Sequence, residues 1–334
     1  MTPRPVTPQP VTRLRERGVA TAYGAAWRVV RLLPERTAYA LGDLLADAVT
    51  ARGGRGVRRL RDNLARAVPG ASPEELRRLT GQAVRSYLRY WVDAFRLPDW
   101  DVERVVGPLR TVGDEPVREA LAAGRGVVGA LAHLGNWDHA GAWSRNRLAP
   151  VTTVAERLRP ESVFLRFLAF REALGIEILA HPARGSGADP DEGDAEGEGG
   201  RQGVTAVLEQ RLRDGVFVPL LADRDLSGRG VDVDLLGEPA RMAGGPAVLA
   251  GRTGALLLAI GITYERTAAS PSGWGTVITF HPPFDVPDAS PAAVATASQH
   301  LADDLSRSIR AHPVDWHMLQ AVFVADVGRE PAPW

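Results

Sequence analysis

The sequence predicts an α/β fold, a mostly parallel central sheet flanked by helices, with a basic helical region ahead of it. Three observations carry that expectation. Short apolar runs of five to nine residues recur between Gly126 and His281. Glycines bound them and helix-period segments separate them, as expected of buried parallel strands. The first hundred residues, by contrast, show helix periodicity and a strong excess of arginine.

With 334 residues, 45% of them hydrophobic and 24% charged, the chain is long enough for one large α/β domain with a helical extension. The organisation expected is a tail over 1–10, an amphipathic and basic helical region over 11–100, and an α/β domain over 101–325. Formal net charge is zero, yet residues 1–96 hold eighteen Arg against eight Asp or Glu. Cysteine is absent, so thiolate metal sites, disulfides and cysteine nucleophiles are excluded. No apolar run reaches the roughly eighteen residues of a spanning helix. The opening Met1-Thr2-Pro3-Arg4-Pro5 lacks a secretory pattern, so a cytosolic chain without a signal peptide is expected.

Residues 11–33 plot as an amphipathic helix, with Val19, Tyr23, Ala26 and Val30 on one side and Arg13, Arg17, Arg28 and Arg31 opposite. Such a helix can lie on anionic lipid or dock its apolar face on the domain. Pro34 opens the next helix and Gly53-Gly54 ends it; a basic helix covers Val57 to Ala67. Ser72-Pro73-Glu74-Glu75 reads as a capping box launching a helix to about Phe95.

In the second region, helices are expected from Val117 to Ala123, through Trp143, and over 162–174, 204–212, 245–252 and 292–310. Strands are expected over 126–132, 151–155, 176–180, 216–222, 256–264 and 277–281. Residues 185–203 carry six acids among glycines and almost no apolar side chain, a composition that reads as a disordered acidic insertion.

Gly126-Val-Val-Gly-Ala-Leu-Ala-His133-Leu-Gly-Asn-Trp-Asp138 is the most informative stretch. It puts a histidine at the carboxyl end of a buried strand, where open α/β sheets bind ligands, and an acid at the start of the next helix. Taken alone, this fits a catalytic histidine or one that merely packs. Asp223-Arg224-Asp225 ends another apolar run at the same topological position. Those acids can hold His133's surroundings, bind a substrate hydroxyl or cap a helix. Arg241 can meet a phosphate bidentately or simply be solvated. His139, His181, His312 and His317 are explained by packing or exposure, and no HExxH spacing occurs.

His133-Leu-Gly-Asn-Trp-Asp138 resembles the HxxxxD motif of glycerolipid acyltransferases, in the form carried by the lipid A biosynthesis acyltransferase family. Further segments are similar to phosphatidylinositol mannoside acyltransferases within it: Val154-Ala-Glu-Arg-Leu158, Phe170-Arg-Glu-Ala-Leu-Gly175, Leu221-Ala-Asp-Arg-Asp-Leu226 and Gly237-Glu-Pro-Ala-Arg-Met242. The likeness runs from about Leu14 to Phe323, and the acidic insertion is the main departure.

The resemblance implies a glycerolipid acyltransferase-like fold and acyl transfer from acyl-CoA, with palmitoyl preferred, to a mannosylated phosphoinositide. Acyl carrier protein is an alternative donor, and another glycolipid or lysophospholipid an alternative acceptor. It assigns His133 as general base, with Asp138 accepting a hydrogen bond from its other ring nitrogen. Glu156, Arg171, Asp223, Arg224 and Arg241 are implied as substrate-binding; Glu156 and Arg171 are expected to pair with each other or to contact the acceptor. Acyl-CoA is a co-substrate and no bound cofactor or metal is expected. The partner is an anionic membrane, met at the cytoplasmic face of the plasma membrane; no nucleic acid and no obligate protein partner are expected. A hydrolase lacks a G-x-S-x-G elbow here; a non-catalytic lipid-binding protein is the competing class.

Overall fold

The computed structural model describes residues 24–25, 27–156, 161–181, 195–225 and 228–331. Helical residues 27–32 lead into α1 (Glu35–Arg52), α2 (Arg55–Ala67), α3 (Pro73–Arg96) and the short α4 (Val102–Val106). The amphipathic segment expected over 11–33 lies mostly outside the described residues. Gly53, in the left-handed region at φ 58°, closes α1, and the Ser72 hydroxyl accepts the Glu75 N–H at the start of α3.

Strands and helices then alternate: β1 (Leu109–Val112), α5 (Glu115–Ala122), β2 (Val127–Leu131), α6 (Trp137–Arg147), β3 (Thr152–Glu156), α7 (Glu161–Ala173), β4 (Glu177–His181), α8 (Ala195–Arg213), β5 (Phe217–Leu221). A hairpin follows, β6 (Val231–Leu235) and β7 (Glu238–Met242), then α9 (Gly245–Thr253), β8 (Leu256–Arg266), β9 (Trp274–Phe280) and α10 (Pro291–Ala311).

The central sheet has the order β1-β9-β8-β2-β5. β2 lies between β8 and β5 and is parallel to both, β1 is parallel to β9, and only the β8–β9 pair is antiparallel. Parallel β3 and β4 continue the layer through a bridge from Val151 to Phe217. The expected mixed, mostly parallel sheet is what forms.

Strand alternation divides the core. On β2, Val128, Ala130 and Ala132 face the layer of α9, α10, Trp316 and Phe323, while Val127 and Leu131 face α6 and α7. β8 repeats this, with Leu257 and Ala259 on the first face and Leu258, Ile260 and Ile262 on the second. A third cluster, including Leu60, Leu64 and Val84, binds α1, α2 and α3 together.

Two expectations need correction. Residues 195–203 of the presumed disordered insertion are the first turns of α8, so that helix begins well before Val204. Residues 182–194 lie outside the described residues. β1 and the β6–β7 hairpin were not anticipated. β1 is a four-residue strand with an uneven burial pattern, and the hairpin alternates Val and Asp with its polar face in water.

The strand-to-helix turn after β2 is tightly specified. Gly135 has φ 62°, and a Cβ there would fall 2.3 Å from the Ile262 carbonyl oxygen. Its N–H donates to the Asp315 carbonyl at 2.9 Å. Gly135→Ala is therefore expected to destabilise the fold by about 2–4 kcal/mol through backbone strain and overlap. Urea unfolding would show it as a lowered midpoint with unchanged slope.

Candidate active site

His133 sits two residues past the end of β2, and Asp223 sits two residues past the end of β5. Leu131 and Leu221 are register partners, so equal overhangs bring the two side chains together. The His133 ring Nδ1 lies 2.6 Å from Asp223 Oδ1, and the His133 backbone N–H donates to Oδ2 at 2.9 Å. Trp316 Nε1–H donates to the same Oδ2 at 3.0 Å.

Asp223 is wholly buried. Burial would raise its pKa, but attraction to His133 and the hydrogen bonds from His133 and Trp316 outweigh that and hold it below the usual carboxylate range. Asp223 thus stays ionised and fixes the proton of a neutral His133 on Nδ1. Nε2 is left as an acceptor with no hydrogen bond among the described residues, on a side chain 21% exposed. Behind it, the His317 N–H donates to the His133 carbonyl at 2.8 Å.

Asp138 does not make the bond expected of it. Asn136 caps α6 by accepting the His139 N–H, and one turn of helix aims Asp138 away from His133. Its carboxylate takes Arg171 Nε at 2.6 Å, Arg171 Nη2 at 3.3 Å and the Tyr90 hydroxyl at 2.8 Å. Asp138 therefore ties α6 to α7 and α3. Tyr90 is driven well above its ordinary pKa by burial and by the Asp138 charge, and it remains a neutral donor. Burial alone would lower Arg171, but Asp138 raises it above its ordinary value and it stays cationic.

Arg171 thus pairs with Asp138. Glu156 ends β3, and its side chain lies outside the described atoms. Arg224 follows Asp223, half-buried. Arg241 projects from β7 and meets Asp232 at 2.8 Å, a solvated ion pair that makes no contact with His133.

A cavity lies between the sheet and α6, and neither His133 nor Asp223 is among the residues that line it. Trp137, Asp138 and Arg171 stand at its polar end. Apolar side chains form most of the remainder, Leu131, Ile260, Ile262 and Phe280 among them, and Ser144 and Ile176 line its far part along α6. Trp137 also meets the His133 ring edge to face, centroids 5.6 Å apart, so the reactive ring and the cavity share one wall. Gly129 helps make room: a Cβ there would come within 3.2 Å of the Phe217 ring and 2.6 Å of Ile260.

α3 roofs the site. Asp93 on it accepts from Tyr39, from Tyr264 at 3.0 Å and from Asn136 at 3.1 Å. Asp315 accepts the Ser86 hydroxyl at 2.7 Å and the Tyr264 N–H at 2.9 Å. Burial raises both carboxyls despite these donors. Tyr90, Trp137, Trp316 and His317 were not singled out in the sequence for this site. Trp316 and His317 lie far along the chain, and only the antiparallel bridge from Leu134 to Trp316 brings them in.

The family model for bacterial lipid A biosynthesis acyltransferase matches residues 9–324. The chain belongs to that family. It is 42% identical over 311 residues to a phosphatidylinositol mannoside acyltransferase of Mycolicibacterium smegmatis, covering 92% of each chain. A Mycobacterium tuberculosis protein of the same name is also 42% identical, over 92% of this chain and 89% of its own. The protein is an acyltransferase.

Two outcomes separate the roles of the two acids. Asp223→Asn should lower kcat by about 10³–10⁴, because the amide no longer secures the ring tautomer. Asp138→Ala should act on stability first, costing about 2–4 kcal/mol by leaving the largely buried Arg171 without its carboxylate. Steady-state kinetics beside urea unfolding distinguishes them.

The buried histidines predict acid sensitivity. Burial lowers His317 to about 3 and His139 to about 4. The unfolded rings bind protons below about pH 6.5 while the folded rings do not, so their contribution is complete above 6.5 and declines as pH falls. Between pH 7.5 and 4.5 each ring should remove about 2 kcal/mol. The fall in urea midpoint should be shallower in His317→Asn.

Proposed function

We propose that the protein moves a fatty acyl group, palmitoyl by preference, from acyl-CoA to a mannose hydroxyl of a phosphatidylinositol mannoside at a membrane surface. The observation carrying this reading is His133, whose Nδ1 is held by buried Asp223 while Nε2 has no hydrogen bond among the described residues, on a ring packed against Trp137, a wall of the apolar cavity. The names of the two mycobacterial relatives supply the acceptor.

In the reaction proposed, the acyl chain occupies the cavity and its thioester lies at the Trp137 end. Nε2 takes the proton of the acceptor hydroxyl as that oxygen attacks the thioester carbonyl. The tetrahedral intermediate collapses with cleavage of the carbon–sulfur bond, and the imidazolium returns its proton to the departing thiolate. No acyl-enzyme forms, because the nucleophile arrives with the substrate. Asp223 stabilises the transient imidazolium.

Contact with the membrane is assigned to the helical region. α1 exposes Leu41, Leu44 and Leu45 at helical spacing, and Leu32 precedes them; Leu32, Leu44 and Leu45 are 85%, 66% and 56% exposed. The arginine surplus of residues 1–96 suits an anionic surface. Among the described residues no helix is long and apolar enough to cross a membrane, and attachment is proposed as peripheral. Acyl-CoA as donor places the site on the cytoplasmic face.

His133→Ala should abolish transfer, read by mass spectrometry of phosphatidylinositol mannoside after incubation with palmitoyl-CoA, while vesicle binding persists and urea unfolding stays cooperative at a lowered midpoint, because buried Asp223 loses its ring donor. Retention of transfer would refute the mechanism, and a wild-type protein that binds vesicles but acylates no mannosylated acceptor would refute the function. Ser144→Trp should shift preference toward shorter acyl-CoA, since Ser144 lies ~9 Å along α6 from Asp138. Leu44→Asp with Leu45→Asp should weaken sedimentation with anionic vesicles at least about tenfold.

A further inference from the structure

β8 pairs with β2 only as far as Ile260 and continues to Arg266, so its last residues form a ledge beyond the strand end that carries His133. Arg266 on that ledge is the register partner of Trp274. The guanidinium carbon of Arg266 stands 3.8 Å from the Trp274 ring centre, and that of Arg89, reaching down from α3, stands 3.6 Å from it. Two guanidinium groups so close to one ring centre overlap if they share a face, so they occupy opposite faces. Arg89 also lies over Tyr264 at 4.9 Å.

Neither cation has a hydrogen-bonding or ion-pairing partner among the described residues, and no nitrogen of Arg89 is both buried and unpaired. Neighbouring arginines differ: Arg31 pairs with Asp99, Arg85 with Asp47 and Arg104 with Glu35. The nearby buried carboxylates Asp93 and Asp315 attract Arg89 electrostatically, but their hydrogen bonds go to other donors, Asp93's to Tyr39, Tyr264 and Asn136, and Asp315's to Ser86 and the Tyr264 N–H. A guanidinium stacked on a ring keeps its in-plane N–H fork available. Two such forks flanking one indole edge repel each other until an anion bridges them, and phosphate oxygens match the fork geometry.

We propose that Arg89, Trp274 and Arg266 form a binding site for the phosphate of a substrate head group. This rests on the proposed function, in which both substrates carry phosphate: the acceptor in its phosphodiester, the donor in its nucleotide. Arg89 adjoins Tyr90, whose hydroxyl donates to Asp138, one of the residues lining the cavity.

The test is calorimetric titration of the full chain with coenzyme A, glycerophosphoinositol and inorganic phosphate, for wild type, Arg266→Gln and Arg89→Gln. The expected result is a loss of about tenfold or more in affinity for one or both organic phosphates. The corresponding KM should rise while kcat holds. Loss for coenzyme A alone assigns the donor, loss for glycerophosphoinositol alone the acceptor, and loss for both a shared site. Wild-type affinities within twofold in both variants, no measurable binding by wild type, or an effect confined to inorganic phosphate, an adventitious ion only, would overturn the proposal. Arg266, exposed and remote from the buried carboxylates, decides the matter if Arg89→Gln fails to fold. Binding is read without turnover, so a protein that binds these heads but transfers no acyl group would refute the function and leave the phosphate site standing.

Discussion

Asp223 is removed from water and answered by three N–H groups, two from His133 and one from the Trp316 indole. An ionised carboxylate in such a place is tolerable only because every approach to it is a donor. That requirement links the middle of the sheet to the segment after α10, since Trp316 must reach across to supply the third donor. It also sets the chemistry: with Nδ1 committed, the ring has one basic nitrogen left, and that nitrogen makes no hydrogen bond among the described residues.

Around this pair, buried polar side chains take on much of the assembly that apolar packing performs elsewhere. Tyr90 joins α3 to Asp138, Asn136 joins the turn after β2 to Asp93, and Ser86 joins α3 to Asp315. Each contact spans elements distant in sequence, so the helical region is part of the site and not an appendage to it. Directional bonds in a low-dielectric setting tolerate little displacement, which suits a roof that keeps Trp137 against both the cavity and the His133 ring.

Much of this was legible in the residues. The apolar runs ending in His133 and in Asp223 announced buried strands, and the Ser72 box and Gly53 marked helix ends as they stand in the structure. The pairing of His133 with Asp223 was legible too, in their equal overhang beyond Leu131 and Leu221, but it requires knowing that β2 and β5 are neighbours. The resemblance to the HxxxxD motif pointed to Asp138 instead. A cap at Asn136 turns that acid toward Arg171, and a five-residue separation says nothing about such a turn. Trp316 and His317 gave no local signal, because their role arises from a long-range bridge to Leu134. The β6–β7 hairpin was visible in the Val-Asp alternation over 231–234, a period-two signal obscured by its polar half.

The bridge between Leu134 and Trp316 has a consequence for biogenesis. Synthesis delivers residues in order, so β2 and its histidine leave the ribosome some 180 residues ahead of the indole and the amide that complete their surroundings. A partly made chain holds Asp223 with one donor missing, an unfavourable burial that resists closing early. The surroundings of His133 are thus completed late, with the segment after α10.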